Sequence, residues 1–195
     1  MSTRIGVLAI QGDFAEHLAA MSEVEGVEAV PVKTVAEIES VAGLIIPGGE
    51  STTIGKICER FELDKAIIRS HERGMAIWGT CAGLIYMAVD IADRPEQQRL
   101  SLLNCRVKRN AFGRQVDSFE TDLPFEGIEG GETHAIFIRA PYVETAFEGV
   151  QVLSVYNDRI VAVRQGNLLG TAFHPEMTND RRVQQYFLKM VKDTA

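Results

Sequence analysis

Cys81 is the residue whose type and setting most directly suggest chemistry. Residues 75–78 are apolar and predict a buried strand, and the Gly-Thr-Cys-Ala-Gly segment that follows leads into a helical pattern. Small residues around a cysteine at a strand-to-helix turn are typical of a nucleophile elbow, a strained turn for which Gly79 and Gly83 leave room. The start of a helix favours the nucleophilic thiolate, so Cys81 is a candidate nucleophile. A buried structural cysteine at a glycine-rich turn would fit the same residues equally well.

His174 and Glu176 are candidates for the base and the orienting acid that a cysteine nucleophile requires. They follow the last predicted strand and are two residues apart, a spacing that puts both side chains on the same side of an extended segment. Pro175 restricts the backbone between them. Taken singly, each would be interpreted as a solvated surface residue, but with Cys81 upstream the pair favours catalysis.

The first half of the chain alternates between predicted strands and helices. Apolar strands are predicted at residues 4–10, 27–32, 44–46 and 75–78. The first helical pattern begins at Phe14, with Asp13 as a candidate N-cap. A short helix is predicted at residues 35–40, and two more at about 54–73, with a break near 62–64. This order predicts a doubly wound α/β fold, in which helices cover both faces of a mostly parallel sheet and make three layers.

Sites in doubly wound sheets lie at the carboxyl ends of the strands. Four loops are therefore expected to meet there, at residues 11–13, 48–53, 79–82 and 171–176.

The second half of the chain has the pattern of short strands joined by turns. Six strands are predicted, at residues 105–110, 119–122, 133–138, 150–155, 160–165 and 168–172. Such a meander predicts an antiparallel extension of one edge of the sheet. Residues 93–99 are polar and predict an exposed loop, and residues 181–192 predict a closing amphipathic helix. Since no internal repeat or linker is visible, residues 1–195 are interpreted as a single domain.

Composition and charge restrict the classes of function. The 195 residues carry a net charge of −7 and no run of lysine or arginine, which argues against nucleic acid or an anionic membrane as a partner. The N-terminus lacks the features of a signal peptide, and no apolar run is long enough to span a bilayer. Cys58, Cys81 and Cys105 lack Cys-x-x-Cys spacing, which argues against disulfides or a zinc site. We therefore expect a cytoplasmic protein without a metal or other cofactor, in which Cys58 and Cys105 are packing residues.

Residues 79–83, together with the His-Pro-Glu segment at 174–176, resemble the class I, or triad, glutamine amidotransferases. Four further stretches narrow the resemblance, at residues 8–12, 47–53, 109–119 and 137–141. Together they resemble the glutaminase subunits of the two-subunit pyridoxal 5′-phosphate synthases, over essentially the whole chain. The resemblance implies hydrolysis of L-glutamine to L-glutamate and ammonia. It also implies a hetero-oligomer with a synthase subunit that consumes the ammonia in vitamin B6 biosynthesis.

This chemistry gives each member of the expected triad a role. Cys81 attacks the amide carbon of the glutamine side chain. His174 takes the thiol proton and later gives a proton to the departing ammonia, while Glu176 fixes the imidazole tautomer and stabilises its positive charge.

The tetrahedral intermediate carries an oxyanion that needs two hydrogen-bond donors. The backbone N–H of Ala82, directly after the nucleophile, is expected to be one of them. The backbone around Gly48 and Gly49 is expected to supply the other, because paired glycines allow a close approach and a peptide flip at low cost. The same Pro-Gly-Gly segment could also be a plain turn after a strand.

Glutamine is a zwitterion, so its carboxylate and its ammonium group both need partners. An arginine fork suits the carboxylate, and Arg109 and Arg139 are candidates, although either could form a surface ion pair instead. Glu50 or a carbonyl near Ile138 would suit the ammonium group. By the family pattern the glutamine pocket is lined by Gly49, Glu50, Ser51, Arg109, Ile138 and Arg139.

Gln11 and the remaining histidines lie outside the expected triad. Gln11 ends the first strand, on the side where a partner subunit is expected to dock. His134 precedes a strand and could be a rival base. His17 and His71 lie on predicted helix faces, where we expect them to be solvated.

Three alternatives to this hypothesis remain open. The first is the glutaminase subunit of a different synthase, such as imidazole glycerol phosphate synthase, against which the stretches at 47–53 and 109–119 argue. The second is a redox-sensing or thiol-protease relative with a cysteine elbow, which would not need Glu50 or Arg109. The third is a non-catalytic regulatory subunit, which the complete triad disfavours.

Overall fold

The computed structural model describes residues 2–109 and 118–194. Within these ranges the strands are Thr3–Leu8 (β1), Val27–Val32 (β2), Gly43–Ile46 (β3), Ala76–Thr80 (β4), Ala88–Ile91 (β5), Leu103–Lys108 (β6), Ser118–Leu123 (β7), Thr133–Ile138 (β8), Tyr142–Ala146 (β9), Gln151–Tyr156 (β10), Arg159–Gln165 (β11) and Leu168–Thr171 (β12). The helices are Phe14–Ser22 (α1), Val35–Ile38 (α2), Ser51–Arg60 (α3), Leu63–Glu72 (α4), Ala82–Met87 (α5) and Arg182–Asp193 (α6), with a 3₁₀ turn at Pro175–Met177.

The parallel half of the main sheet has the strand order β2-β1-β3-β4-β12. A parallel arrangement is what the alternating pattern of the first half predicts. β3 and β4 are buried at every residue, because helices cover both faces of the sheet. The chain adds β2 on one side of β1 and then returns to place β3 on the other side. Such a reversal of strand order opens a crevice at the carboxyl ends of the strands, which is where ligands bind in folds of this kind.

The predicted antiparallel extension is present, and it continues the sheet from β12 through β11, β9 and β6. The last strand, β5, then pairs with β6 in parallel. Two of its strands, β5 and β9, escaped prediction. β5 follows α5 without an intervening turn residue, and β9 is a short, half-exposed strand with little apolar alternation.

The strands predicted at residues 119–122 and 133–138 are real, but they do not join the main sheet. They pair with each other as β7 and β8 in a separate antiparallel two-stranded sheet. Phe137 of β8 packs on Phe173, with 5.6 Å between the ring centroids, and so attaches this small sheet to the segment after β12. The strand predicted at residues 105–110 ends at Lys108, and its last residue lies outside the described residues, as do the following seven of the 109–119 stretch.

Trp78 connects the core to the carboxyl ends of the two central strands. Its side chain is fully buried, packs on Phe187 of α6 at 5.5 Å between ring centroids, and meets His17 of α1 edge-on. The indole N–H donates a hydrogen bond of 3.1 Å to the hydroxyl of Thr171, the last residue of β12. A buried indole with a satisfied N–H stabilises both strands where they lead into the loops 79–82 and 171–176.

The helices are short and pack on the sheet through one face. α6, the longest in the described part of the chain, has 12 residues and buries Val183, Phe187 and Met190, as its periodicity predicts. None of the helices in residues 2–109 and 118–194 has both the length and the apolar character needed to cross a membrane.

Candidate active site

Cys81 occupies the strained turn between β4 and α5 that the sequence predicts. Its backbone has φ 47° and ψ −102°, a conformation that L-residues rarely adopt. A Cβ on Gly83 would lie 2.0 Å from the carbonyl oxygen of Ile46, and one on Gly79 would lie 2.5 Å from the carbonyl carbon of Gly83. Only glycine fits at either position, so the two glycines permit the turn that presents the cysteine.

β12 brings His174 to the same edge of the sheet as Cys81. β4 and β12 are parallel neighbours, and the Cys81 N–H donates to the carbonyl of Thr171 at 2.8 Å. His174 lies three residues further on, where its own N–H donates to the carbonyl of Ile136 in β8 at 2.8 Å. The Cys81 and His174 side chains are both buried, so little bulk water reaches them to compete for their hydrogen bonds.

His174 and Glu176 form the expected pair. Nδ1 of the imidazole lies 2.6 Å from Oε1 of Glu176, a short distance typical of a charge-assisted hydrogen bond. The bond holds a proton on Nδ1, which leaves Nε2 for exchange with the sulfur. Nε2 is buried and has no hydrogen-bond partner among the described residues. The two side chains therefore lie together, as predicted, but Pro175–Met177 forms a 3₁₀ turn in place of the extended segment that we expected.

Asp13 is a member of the site that sequence reasoning missed. We expected it to cap α1, but its side chain makes no capping hydrogen bond, and Oδ2 instead lies 2.9 Å from Nδ1 of His174. Burial alone would raise the pKa of Asp13, but the hydrogen bond with the His174 side chain opposes it, and the pKa is lowered to about 2. The available signal was its position in the loop directly after β1, one of the four loops expected to converge.

The pKa of His174 is raised well above its usual range. Burial by itself lowers it, but hydrogen bonds with Asp13, Cys81 and Glu176 outweigh the burial. The imidazolium form is therefore favoured at neutral pH. A protonated imidazole beside a cysteine is the arrangement that stabilises a thiolate.

The Gly48–Gly49 loop lies against the histidine. A Cβ on Gly48 would be 2.6 Å from Cε1 of His174. The Gly48 carbonyl faces the loop after β1, where it accepts a long hydrogen bond of 3.4 Å from the Asp13 N–H. Gly49 has φ 141°, which is accessible to glycine alone. Across the crevice Ala82 is the first residue of α5, so its N–H lies among the free donors at the helix start.

Gln11 lies directly beside this loop. Its side-chain oxygen accepts a hydrogen bond of 2.9 Å from the Glu50 N–H. A Cβ on Gly49 would lie 2.4 Å from the same oxygen. A change in the position of Gln11 would therefore be transmitted to Gly49 and Glu50 by direct contact.

Glu50, Ser51 and Arg109 are brought together by a residue that the sequence did not single out. The Arg109 guanidinium lies 3.6 Å from the Glu50 carboxylate and donates to the side-chain oxygen of Gln97 at 2.7 Å. The Gln97 amide in turn donates to the Ser51 hydroxyl at 3.0 Å. Gln97 is 8% exposed, so the prediction of an exposed loop at residues 93–99 is wrong for this side chain. A lone glutamine in a polar loop carries no sequence signal for such a contact.

Ile138 and Arg139, at the end of β8, are placed differently from each other. The carbonyl of Ile138 lies 4.0 Å from the sulfur of Cys81, at the distance of a weak S–H···O contact. Arg139 is exposed and has φ 41°, in the turn that follows β8. The carbonyl therefore belongs to the immediate surroundings of the cysteine, and the arginine lies at their rim.

The matches to known proteins agree with this geometry. A family model described as the SNO glutamine amidotransferase family matches residues 7–193. The chain belongs to this family. It is 53% identical over 188 residues to a protein of Moorella thermoacetica named pyridoxal 5′-phosphate synthase subunit PdxT, covering 96% of this chain and 99% of that one. It is 50% identical over 187 residues to a Thermus thermophilus protein of the same name, covering 95% and 96%.

Solved structures agree with the family assignment. A crystal structure described as a glutamine amidotransferase superimposes with a TM-score of 0.92 at 48% identity, and the match covers 96% of this chain and 98% of that one. The structure of PurLQS from Thermotoga maritima gives a TM-score of 0.73 at 22% identity, with 97% and 99% covered, and shows that the fold is shared. This glutamine amidotransferase therefore has the α/β fold, with its antiparallel extension, that the sequence predicts.

His17 of the amidotransferase is placed differently from our prediction of a solvated side chain, which is wrong. It is fully buried, with Nε2 at 2.9 Å from the Thr80 hydroxyl and at 3.4 Å from Oε2 of Glu176. It thus links the residue before the nucleophile to the orienting acid. The pattern contained a signal, because Phe14, His17 and Met21 recur at helical spacing and lie on the face of α1 that meets the core.

His134 is engaged elsewhere in the amidotransferase, so it does not act as a rival base. Its ring nitrogens lie 2.8 Å from Asp122 and 3.0 Å from Glu120 on the partially exposed face of the β7–β8 sheet. Hydrogen bonds to Asp122 and then Glu120 raise the pKa of His134. Both ring nitrogens are engaged with carboxylates of this small sheet and are not directed at Cys81.

Cys58 and Cys105 are packing residues, as expected. Both are fully buried, and burial raises the pKa of Cys58 to about 11 and that of Cys105 to about 12. Thiols of this kind are almost entirely protonated at neutral pH and react poorly. Of the three cysteines in this amidotransferase, Cys81 is thus the one whose surroundings favour reaction.

Asp13, His174 and Glu176 also have the types and spacing of metal ligands, because one donor atom from each lies within 4.8 Å of the others. The separations of 2.6 and 2.9 Å from Nδ1 are, however, those of N–H···O hydrogen bonds. A shared proton accounts for the cluster, so we interpret it as part of the proton-transfer machinery.

Proposed function

We propose that this amidotransferase hydrolyses the side-chain amide of L-glutamine with Cys81 as nucleophile, His174 as proton carrier and Glu176 as orienting acid. The observation that carries the proposal is the 2.6 Å bond between Nδ1 of His174 and Glu176, at the end of the strand next to the strained Cys81 turn. Membership in a glutamine amidotransferase family supplies the reaction class.

The reaction follows from these three side chains. The Cys81 thiolate attacks the amide carbon, and the oxyanion that forms is stabilised by the N–H of Ala82 and by the backbone at Gly48–Gly49. The imidazolium of His174 gives its Nε2 proton to the departing nitrogen, so ammonia leaves and a thioester remains. Neutral His174 then takes a proton from water, which attacks the thioester. Collapse of the second intermediate releases glutamate and regenerates the thiolate.

Substrate recognition uses the residues around Gln97. Arg109 pairs with the α-carboxylate of glutamine, and Glu50 and the Ile138 carbonyl accept from its ammonium group. Ser51 and Gly49 complete the pocket, with Arg139 at its rim. The existing contact between Arg109 and Glu50, at 3.6 Å, supports this arrangement, because a zwitterion can bridge two opposite charges that already face each other.

The ammonia is delivered to a synthase subunit that forms pyridoxal 5′-phosphate. Relatives that are 53% and 50% identical carry the name of a subunit of pyridoxal 5′-phosphate synthase, which supports a hetero-oligomer for this chain as well. Gln11 lies on the side of this partner. Its contacts with Gly49 and Glu50 give the partner a route to the oxyanion loop.

The test is release of glutamate from glutamine by the purified chain, with and without a pyridoxal 5′-phosphate synthase subunit, together with formation of pyridoxal 5′-phosphate. We expect glutamine-dependent product from the mixture and none from the synthase subunit with glutamine alone. Glutamate release that supports no product with this synthase, but does with another ammonia-dependent synthase, would overturn the assignment of the partner. Failure to release glutamate in every combination would overturn the activity.

A further inference from the structure

Asp13 is the charged group of the site to which the proposed mechanism gives no role. Its Oδ2 lies 2.9 Å from Nδ1 of His174, and Oε1 of Glu176 lies 2.6 Å from the same nitrogen. Two carboxylates therefore share one imidazole N–H. The side chains of Asp13 and Glu176 are 14% and 0% exposed, so water screens the interaction very little.

Two carboxylates so close together repel each other unless a positive charge lies between them. Oδ1 of Asp13 and Oε2 of Glu176 have no hydrogen-bond partner among the described residues, so other hydrogen bonds do little to compensate. The protonated ring of His174 lies in contact with both acids and supplies the charge that the pair requires.

We propose that Asp13 is a second positioning carboxylate for His174, which shares the Nδ1 proton with Glu176 and stabilises the imidazolium form of the ring. This inference rests on the proposed triad. Since a thiolate is stabilised by a neighbouring imidazolium, Asp13 acts through His174 to favour the reactive form of Cys81. The orienting acid of this site is thus a pair of residues on different loops.

The charges around His174 are consistent with this assignment. The groups that face its ring are Asp13 from the α1 side, Cys81 from the start of α5 and Glu176 from its own segment. His17 is directed to Glu176 and Thr80. The two acids are therefore the anionic groups that hold the proton on the ring, and the pKa of His174 is raised although burial lowers it.

The first experiment is alkylation of Cys81 by iodoacetamide in the isolated chain, measured from pH 5 to pH 12. In Asp13→Asn the imidazolium loses one of its two supporting charges. The pH at which the imidazolium loses its proton, and at which the reactivity of Cys81 changes with it, should therefore fall by about one unit. Asp13→Glu, which keeps the charge, should reverse much of this fall. Glu16→Gln, an exposed acid on the same helix, is the matched control and should leave the profile unchanged. Cys81→Ala gives the background from the buried thiols.

The second experiment is a double-mutant cycle on glutaminase kcat, measured with the synthase subunit present. Because each acid partly replaces the other on Nδ1, Asp13→Asn combined with Glu176→Gln should lose at least about ten-fold more than the product of the two single losses. Additive losses, or an alkylation profile for Asp13→Asn that matches that of Glu16→Gln, would overturn the proposal.

Two further results keep the inference separate from folding and from the proposed function. If Asp13→Asn fails to fold by circular dichroism, the ¹⁵N shifts of His174 in Glu176→Gln decide, because Asp13 should keep the ring protonated above pH 7. If His174 in this variant loses its proton in the ordinary histidine range, the proposal for Asp13 is wrong. If Cys81→Ala retains glutaminase activity, the triad is wrong. Even then, the titration of His174 in Glu176→Gln still tests the role of Asp13, because this measurement needs neither glutamine nor turnover.

Discussion

Cys81 combines a strained backbone with a buried setting, and these two features have a common cause. The φ of 47° directs its side chain into the crevice at the carboxyl ends of the strands, next to His174 and the Ile138 carbonyl. A residue without a reactive role would gain nothing from this conformation, which costs on the order of 1–3 kcal/mol. The strain therefore supports the proposed role of Cys81 as the nucleophile.

Cys81→Ala should abolish glutamine hydrolysis and leave the fold and partner binding intact, because alanine removes the sulfur and keeps the Cβ. The complex should still form product when an ammonium salt replaces glutamine. The measurement is glutamate release and pyridoxal 5′-phosphate formation with each nitrogen source. Substantial glutaminase activity in the variant would show that another residue is the nucleophile.

His174→Asn should cost far more activity than Glu176→Gln. In the proposed mechanism His174 moves protons, whereas Glu176 orients the ring and stabilises its charge, a task that we propose Asp13 shares at 2.9 Å. Loss of the orienting acid costs about four orders of magnitude in a serine triad, and a thiol depends less on its base, so a milder loss is expected here. Steady-state kcat for the two variants is the measurement. Equal losses would contradict this division of roles.

At the scale of secondary structure, the turn at Cys81 depends on how closely the start of α5 packs against β3. The Cβ that alanine would add at Gly83 lies 2.0 Å from a backbone oxygen of β3, which cannot move without displacing the strand. Gly83 therefore lets the start of α5 approach β3 at backbone distance.

Gly83→Ala should destabilise the protein by at least about 3 kcal/mol and remove glutaminase activity, although alanine is the better helix former. The matched control is Gly26→Ala, which has φ +80° but no atom within 4 Å of the added Cβ and should lose only about 1 kcal/mol. Thermal unfolding followed by circular dichroism compares the two. A Gly83→Ala variant as stable as Gly26→Ala would show that the contact between α5 and β3 is loose.

On the scale of the whole molecule, the oxyanion loop lies between the catalytic residues and the expected partner side. Gly48 contacts His174 on one side, and Gly49 contacts Gln11 on the other. A glutaminase that acts without an acceptor wastes glutamine, and a peptide flip at two glycines is a low-cost way to prevent this.

We expect the isolated chain to be nearly idle and to be activated when the synthase subunit binds near Gln11. Completing one donor of an oxyanion hole changes kcat by about 10²–10³, which requires only a few kcal/mol of differential binding. The measurement is glutaminase kcat for the chain alone and for the chain saturated with the synthase subunit. A ratio near one would exclude the gate and leave the triad unaffected.

The sequence by itself determined the features that depend on neighbouring residues. The Gly-x-Cys-x-Gly elbow and the alternation of strands and helices were predicted correctly, because backbone sterics and side-chain periodicity act over a few residues. The proximity of His174 and Glu176 was also predicted, but a 3₁₀ turn at Pro175–Met177 provides it in place of the extended segment that we expected. The class I amidotransferase fold followed from these patterns and from the resemblance that their residues carry.

Only the tertiary structure decided which distant residues meet. Asp13 contacts His174, His17 contacts Glu176 and Gln97 joins Ser51 to Arg109, although each pair is separated by at least 12 positions in the chain. The pairing of β7 with β8 outside the main sheet was likewise invisible in the strand pattern. A strand or a polar side chain shows its own preference in the sequence, but its partner is selected by packing across the whole fold, where long-range contacts compete.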